Sequence, residues 1–122
     1  MAMMHPIKRD SNRPIMDAAA LCAELGKRGE VWADAAAAAD ALEEARKSVL
    51  AELKAGHMAG GKMSDAKAET LALGSPEYRS HLNAMVKARQ AANRSRVRYD
   101  VYRTYVELER SNAATERALA NL

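Results

Sequence analysis

Apolar and polar positions along the chain alternate with helical spacing wherever they are regular, and nowhere with the two-residue period of a strand. From Glu30 to Ala55, Val31, Ala35, Ala38, Leu42, Ala45, Val49 and Leu53 recur along one helical face with Trp32 beside them, and Gly56 stands where a left-handed cap belongs. Counting in sevens from Met85 gives Met85, Ala92, Tyr99, Val106, Ala113 and Ala120, with companions Ala88, Ser95, Tyr102, Glu109 and Glu116. This is a coiled-coil-like seam, small in its first half, tyrosine-rich in the middle and polar toward its end. Ser75-Pro76-Glu77 opens that helix with a hydroxyl cap, a proline at the first helical position and an acid at the positive end of the dipole. Neither proline nor glycine follows Pro76, so the helix runs to about residue 120 and spans roughly 65–70 Å at 1.5 Å per residue.

The remaining stretches fit around these two. Asp17 caps an alanine-rich segment to Leu25, and Gly26-Lys27-Arg28-Gly29 predicts a kink or break after it. The tetrad lacks the spacing of a phosphate-binding P-loop. Gly60-Gly61 marks a flexible link, and Ser64 caps a short helix that ends at Gly74. The predicted helices are therefore 17–25, 30–55, 64–73 and 76–120, after a loose basic arm over residues 1–15 that holds Pro6 and Pro14. The expected fold is all-α: residues 16–122 form a single domain, an elongated antiparallel helical hairpin with a short elbow helix.

Composition sharpens this picture. Of 122 residues four are tyrosine, one is tryptophan and none is phenylalanine, so the apolar content is mostly alanine, which favours helix without filling a large core. A hairpin with an alanine core is marginal alone, and self-association is the expected remedy. Trp32, Leu42, Met85, Tyr99, Tyr102 and Val106 are the expected packing and oligomer contacts, with the tyrosines buried between chains. Trp32 reads first as a packing anchor and second as a platform for a base. Cys22 is the only cysteine, which excludes an intrachain disulfide and a thiolate metal site and fits a cytoplasmic protein. No run reaches the ~20 apolar residues of a membrane span.

Net charge is +3, unevenly spread: residues 30–54 carry six acids and three bases, residues 76–122 nine bases and five acids. Arg89, Arg96, Arg103, Arg110 and Arg117 recur every seven residues, and the stretch from Arg79 to Arg98 holds six bases and no acid. One reading makes Lys87, Arg89, Arg94, Arg96, Arg98 and Arg103 a track for the phosphates of a nucleic acid, with Tyr99, Tyr102 or Tyr105 offering a stacking face. The other pairs the arginines internally with Glu43, Glu44 and Glu52 of the preceding helix. Catalytic residues are not expected: His5, His57 and His81 have no partner at ligand spacing, Glu43-Glu44 is an ordinary exposed pair, and Ser64 and Ser75 are explained as caps. No metal or cofactor is implied.

Met63-Ser64-Asp65-Ala66-Lys67-Ala68-Glu69, Ser75-Pro76-Glu77-Tyr78-Arg79 and the run Arg110-Ser111-Asn112-Ala113-Ala114-Thr115-Glu116-Arg117 resemble small helical proteins encoded by bacteriophages. Over residues 30–117 the layout is similar to the UvsY family of phage recombination mediators. That resemblance implies a cytoplasmic homo-oligomer in the bacterial host that binds single-stranded DNA and helps load a recombinase onto strands coated by single-strand-binding protein. The end of the chain, Ala-Leu-Ala-Asn-Leu, departs from it by lacking an apolar, aromatic-rich oligomerisation segment. The competing class is a helical protein–protein interaction module, such as a phage inhibitor of a host defence enzyme. DNA and RNA are not distinguished by the residues.

Overall fold

The computed structural model describes residues 17–122, which form three helices: α1 (Ala18–Met58), α2 (Asp65–Leu73) and α3 (Pro76–Ala120). Helix accounts for 90% of them and strand for none, so the chain is all-α over the described residues. The basic arm expected over residues 1–15 lies outside them.

Each helix begins as its sequence dictates. Asp17 Oδ1 accepts the N–H of Ala20 at 2.6 Å, Ser64 Oγ that of Lys67 at 3.3 Å, and Ser75 Oγ that of Tyr78 at 3.2 Å. These caps satisfy amide donors that a first helical turn leaves without partners. Ser75 also donates its hydroxyl proton to the carbonyl of Ala72 at 2.7 Å, which ties the end of α2 to the start of α3.

The glycines behave differently from expectation. α1 passes through Gly26 and Gly29 without a break, and the separate helices 17–25 and 30–55 are one element of 41 residues. Glycine in a helix costs about 1 kcal/mol relative to alanine, but the packed stripe of α1 continues on both sides of the pair and outweighs that local preference. Nothing lies within 4 Å of the position a methyl would take at Gly26, whereas at Gly29 it would meet the Tyr99 ring at 3.5 Å. The expected cap at Gly56 is also displaced. The helix continues to Met58, the N–H of Ala59 reaches the carbonyl of Gly56, and the positive φ, 77°, belongs to Gly61. The reversal of the chain therefore sits at the second glycine of the Gly60-Gly61 pair, where a side chain would be strained.

α1 and α3 lie against each other along much of their length. As residue numbers rise along α3, those of its partners on α1 fall. His81 Nε2 donates to the carbonyl of Leu42 at 2.9 Å, Arg89 reaches Asp40 and Glu43, Tyr99 packs on Trp32, and Tyr102 lies beneath Arg28. The inward stripe of α1 runs through Leu21, Leu25, Arg28, Trp32, Ala35, Ala39, Leu42, Ala45, Val49 and Leu53, all buried or half-buried. Two residues assigned to that stripe from the sequence are not on it: Val31 is 53% exposed and Ala38 is exposed, while Ala39 is fully buried. Trp32 draws the stripe one position round the helix, because the largest side chain finds Tyr99.

Small residues hold the closest part of the seam. Ala39 is 0% exposed, Ala92 2% and Ser95 9%, and among the described residues no large side chain is fully enclosed. Ala68 and Ala72, both fully buried, are the inner positions of α2, which lies on α1. The Nζ of Lys54 meets Asp65 Oδ1 at 2.6 Å across that contact; this hydrogen bond raises the lysine pKa above its ordinary value, against a smaller opposing effect of burial. The accessible surface is 9648 Å², against roughly 6,500 Å² for a compact protein of this mass.

Two outcomes test this register. Ala39→Leu should destabilise the protein by about 1–3 kcal/mol through overpacking, while Ala38→Leu, on the exposed side, should change urea stability by less than about 0.5 kcal/mol. Equal effects of the two would contradict the register. Gly26→Ala, with open space around it, should raise stability by about 0.5–1 kcal/mol, seen as a higher urea midpoint with an unchanged slope.

Candidate nucleic-acid interface

Lys87, Arg89, Arg94, Arg96, Arg98 and Arg103 all lie on α3, but not on one line. Arg96 and Arg103 stand three residues before and four after Tyr99, and so border the same edge of the seam as the Trp32–Tyr99 contact. Arg98 stands three residues after Ser95 and four before Tyr102, which places it on the opposite edge. Lys87 and Arg94, seven residues apart, lie on the outer side.

Arg89 differs from the other five. Its Nε donates to Glu43 Oε1 at 3.0 Å, and its Nη2 lies 2.7 Å from Asp40 Oδ1 and 2.9 Å from Glu43 Oε2. The hydrogen bond to Glu43, then that to Asp40, pushes the guanidinium pKa still further above its ordinary value. Internal pairing therefore holds for Arg89 and for Glu43. Asp40 is a partner the sequence reading missed: it lies three residues from Glu43, on the same side of α1, and the signal was that spacing. Glu44 and Glu52, the other acids expected to pair, make no ion pair among the described residues, and Lys87, Arg94, Arg96, Arg98 and Arg103 are exposed and equally without one.

The aromatic residues are engaged with each other. The rings of Trp32 and Tyr99 have centroids 5.4 Å apart at 38°, and those of Tyr102 and Tyr105 lie 5.6 Å apart at 46°. The Arg28 guanidinium sits 4.6 Å above the Tyr102 ring, while its Nε holds Glu24 Oε1 at 3.0 Å. The buried hydroxyl of Tyr102 makes no hydrogen bond among the described residues. Burial first, then the charge of Glu24, raises its pKa, and Arg28 opposes the shift. Trp32, Leu42, Met85, Tyr99 and Tyr102 are half-buried and Val106 is 6% exposed, all within one chain. The seam expected to close between chains is thus lined by α1 of the same chain. Trp32 and Tyr99 still border an open groove of about 420 Å³ floored by Gly29, Ala33 and Ala36.

On the other edge, Arg98 and Ser95 of α3 line a cleft of about 390 Å³ with Glu24, Lys27, Arg28 and Val31 of α1. Lys27 and Arg28 belong to the tetrad read from sequence as a break. Once those residues are helical, they come within reach of α3.

No group of three or more His, Cys, Asp or Glu side chains placed to hold a metal occurs among the described residues. His81 is committed to the Leu42 carbonyl, His57 is exposed and Cys22 is an exposed free thiol. Among the described residues no helix is long and apolar enough to cross a membrane.

The ion pairs of Arg89 can be tested directly. Arg89→Gln should lower the melting temperature, and so should Asp40→Asn combined with Glu43→Gln. In the triple variant the two losses should be less than additive, because both remove the same bonds. Full additivity would show that the pairs do not contribute to stability.

Compared with protein-family models, with curated proteins and with solved structures, the chain matches none of them.

Proposed function

We propose that this protein is a non-enzymatic, single-stranded nucleic-acid-binding accessory, acting as an elongated antiparallel hairpin that associates with copies of itself. The observation that carries the reading is the state of the bases on α3. Between Arg79 and Arg98 there is no acid, and Lys87, Arg94, Arg96, Arg98 and Arg103 are exposed without an ion pair among the described residues. Unpaired cations on an acid-free stretch attract a polyanion, because phosphates that they neutralise release condensed counterions. Their distribution over both edges and the outer side of α3 suits a strand that wraps the helix rather than one that follows a single row. A flexible single strand can do so; a stiff duplex bends only at a cost.

Within this reading the protein works in the cytoplasm of a bacterial host during phage recombination or replication, where it helps load a recombinase onto strands coated by single-strand-binding protein. The similarity of layout to the UvsY family supports that more specific role. Arg89 is assigned to structure and not to the strand.

A second reading, a helical interaction module such as a phage inhibitor of a host defence enzyme, is favoured by a different observation. Val97, Val101 and Leu108 are 54%, 65% and 59% exposed and share the outer side of α3, an apolar row of the kind that docks on proteins.

Fluorescence anisotropy with a labelled mixed-sequence single-stranded oligonucleotide separates the two. Binding should weaken with salt, with a log–log slope of about −0.7 per phosphate neutralised. Arg94→Gln, Arg96→Gln and Arg103→Gln together should flatten the slope by about 2 with helicity intact, whereas Arg89→Gln alone should lower stability more than it changes the slope. Absence of salt-dependent binding by the wild type would leave the interaction module.

A further inference from the structure

The cleft between Lys27 and Arg98 is the part of the molecule where charge, shape and freedom from internal pairing coincide. Its two walls come from different helices: Glu24, Lys27, Arg28 and Val31 from α1, Ser95 and Arg98 from α3. Three of these six side chains are basic and one is acidic. The acid is already engaged, since Glu24 Oε1 is held by Arg28 Nε at 3.0 Å. Arg28 is in turn held over the Tyr102 ring, so this pair is fixed and nearly neutral at one side of the cleft. Lys27 and Arg98 have no such commitment among the described residues. The cleft therefore carries an excess of about two positive charges, beside a serine hydroxyl able to donate a hydrogen bond and an exposed valine.

We infer that this cleft is a phosphodiester-binding site, at which a single-stranded nucleic acid crosses from α3 onto α1. The inference rests on the proposed nucleic-acid reading and deepens it: the strand is gripped by both helices, not carried along the arginine row of α3. Lys27 and Arg98 are the principal phosphate contacts, Ser95 supplies a neutral donor, and Val31 gives an apolar wall for a sugar or the edge of a base. The volume suits this occupant, because a cleft of about 390 Å³ is larger than one phosphate needs and lies within the range of small-ligand sites. It also gives the continuity of α1 a use. A break at Gly26–Gly29 would have separated Lys27 and Arg28 from the face that meets Arg98; the unbroken helix keeps them there. An acidic polypeptide is the less suitable occupant, because its carboxylates come without the sugar and base that the Val31 wall beside the basic side chains would receive.

The test uses the full chain and a labelled oligothymidylate at roughly 50 mM salt, where phosphate contacts are strongest. Lys27→Gln combined with Arg98→Gln should weaken binding by about tenfold or more and flatten the salt slope by about 1.4, with helicity unchanged. Glu24→Gln, which removes the acid and frees Arg28, should tighten binding. Wild-type affinity in the Lys27/Arg98 double variant, with loss of binding in an Arg94/Arg96/Arg103 triple glutamine variant, overturns the cleft while the broader reading stands. Failure of the wild type to bind oligothymidylate overturns both. Displacement of the oligonucleotide by poly-glutamate as readily as by unlabelled oligothymidylate assigns the cleft to an acidic polypeptide and overturns the inference.

Discussion

The structure depends on how closely α1 and α3 can approach, and small side chains set that approach. Ala39, Ala92 and Ser95 are almost fully enclosed, and two helices can come this near only where a methyl or hydroxymethyl group faces the partner. Close approach brings the Leu42 carbonyl within 2.9 Å of His81 and lets Tyr99 lie beside the bare backbone of Gly29. It also limits the apolar area buried, because each alanine methyl removes little surface from water. Stability must then come from many weak contributions: the tilted Trp32–Tyr99 pair, the Arg89 ion pairs, the caps at Asp17, Ser64 and Ser75, and the Lys54–Asp65 contact. Loosening the alanine part of the seam would disturb the Trp32–Tyr99, Arg89 and His81–Leu42 contacts together, since each spans α1 and α3.

The charges of α3 divide according to that geometry. Where a base stands beside an acid of α1, as Arg89 does beside Asp40 and Glu43, it is used to fix register. Farther along, α1 presents alanines and glycine toward the edge bordered by Arg96 and Arg103, and among the described residues no acid pairs with them. The heptad row of arginines is thus regular in sequence but not in role. A repeat of spacing makes a row of positions equivalent on one helix; the partner helix, which has no matching repeat of acids, makes them different.

Local signals were the legible part of the sequence. The caps at Asp17, Ser64 and Ser75, the proline at position 76 and the all-α class follow from short-range chemistry, and each is as expected. Misreadings arose where tertiary packing overrode local preference. Gly26 and Gly29 look like a break because glycine weakens helix, but the stripe from Leu21 to Leu53 continues across them. Gly56 looks like a cap, but Gly60-Gly61 downstream makes the turn. Val31 and Ala38 fit the helical period as well as Trp32 and Ala39 do, and only the position of Tyr99 decides between them. Of the candidate site, the exposed bases of α3 were visible, whereas the contribution of Lys27 and the pairing of Asp40 required the register of one helix on the other.

The hydroxyl of Tyr102 has a consequence of its own. It is a buried polar atom that makes no hydrogen bond among the described residues, and burying a polar group offsets part of what the surrounding apolar contacts contribute. Most contacts of the seam favour the packed helices through every atom they bury; at Tyr102 the ring does so and the hydroxyl does not. The Tyr102 ring, held under the Arg28 guanidinium, thus contributes less to the joining of the two helices than its size alone would suggest.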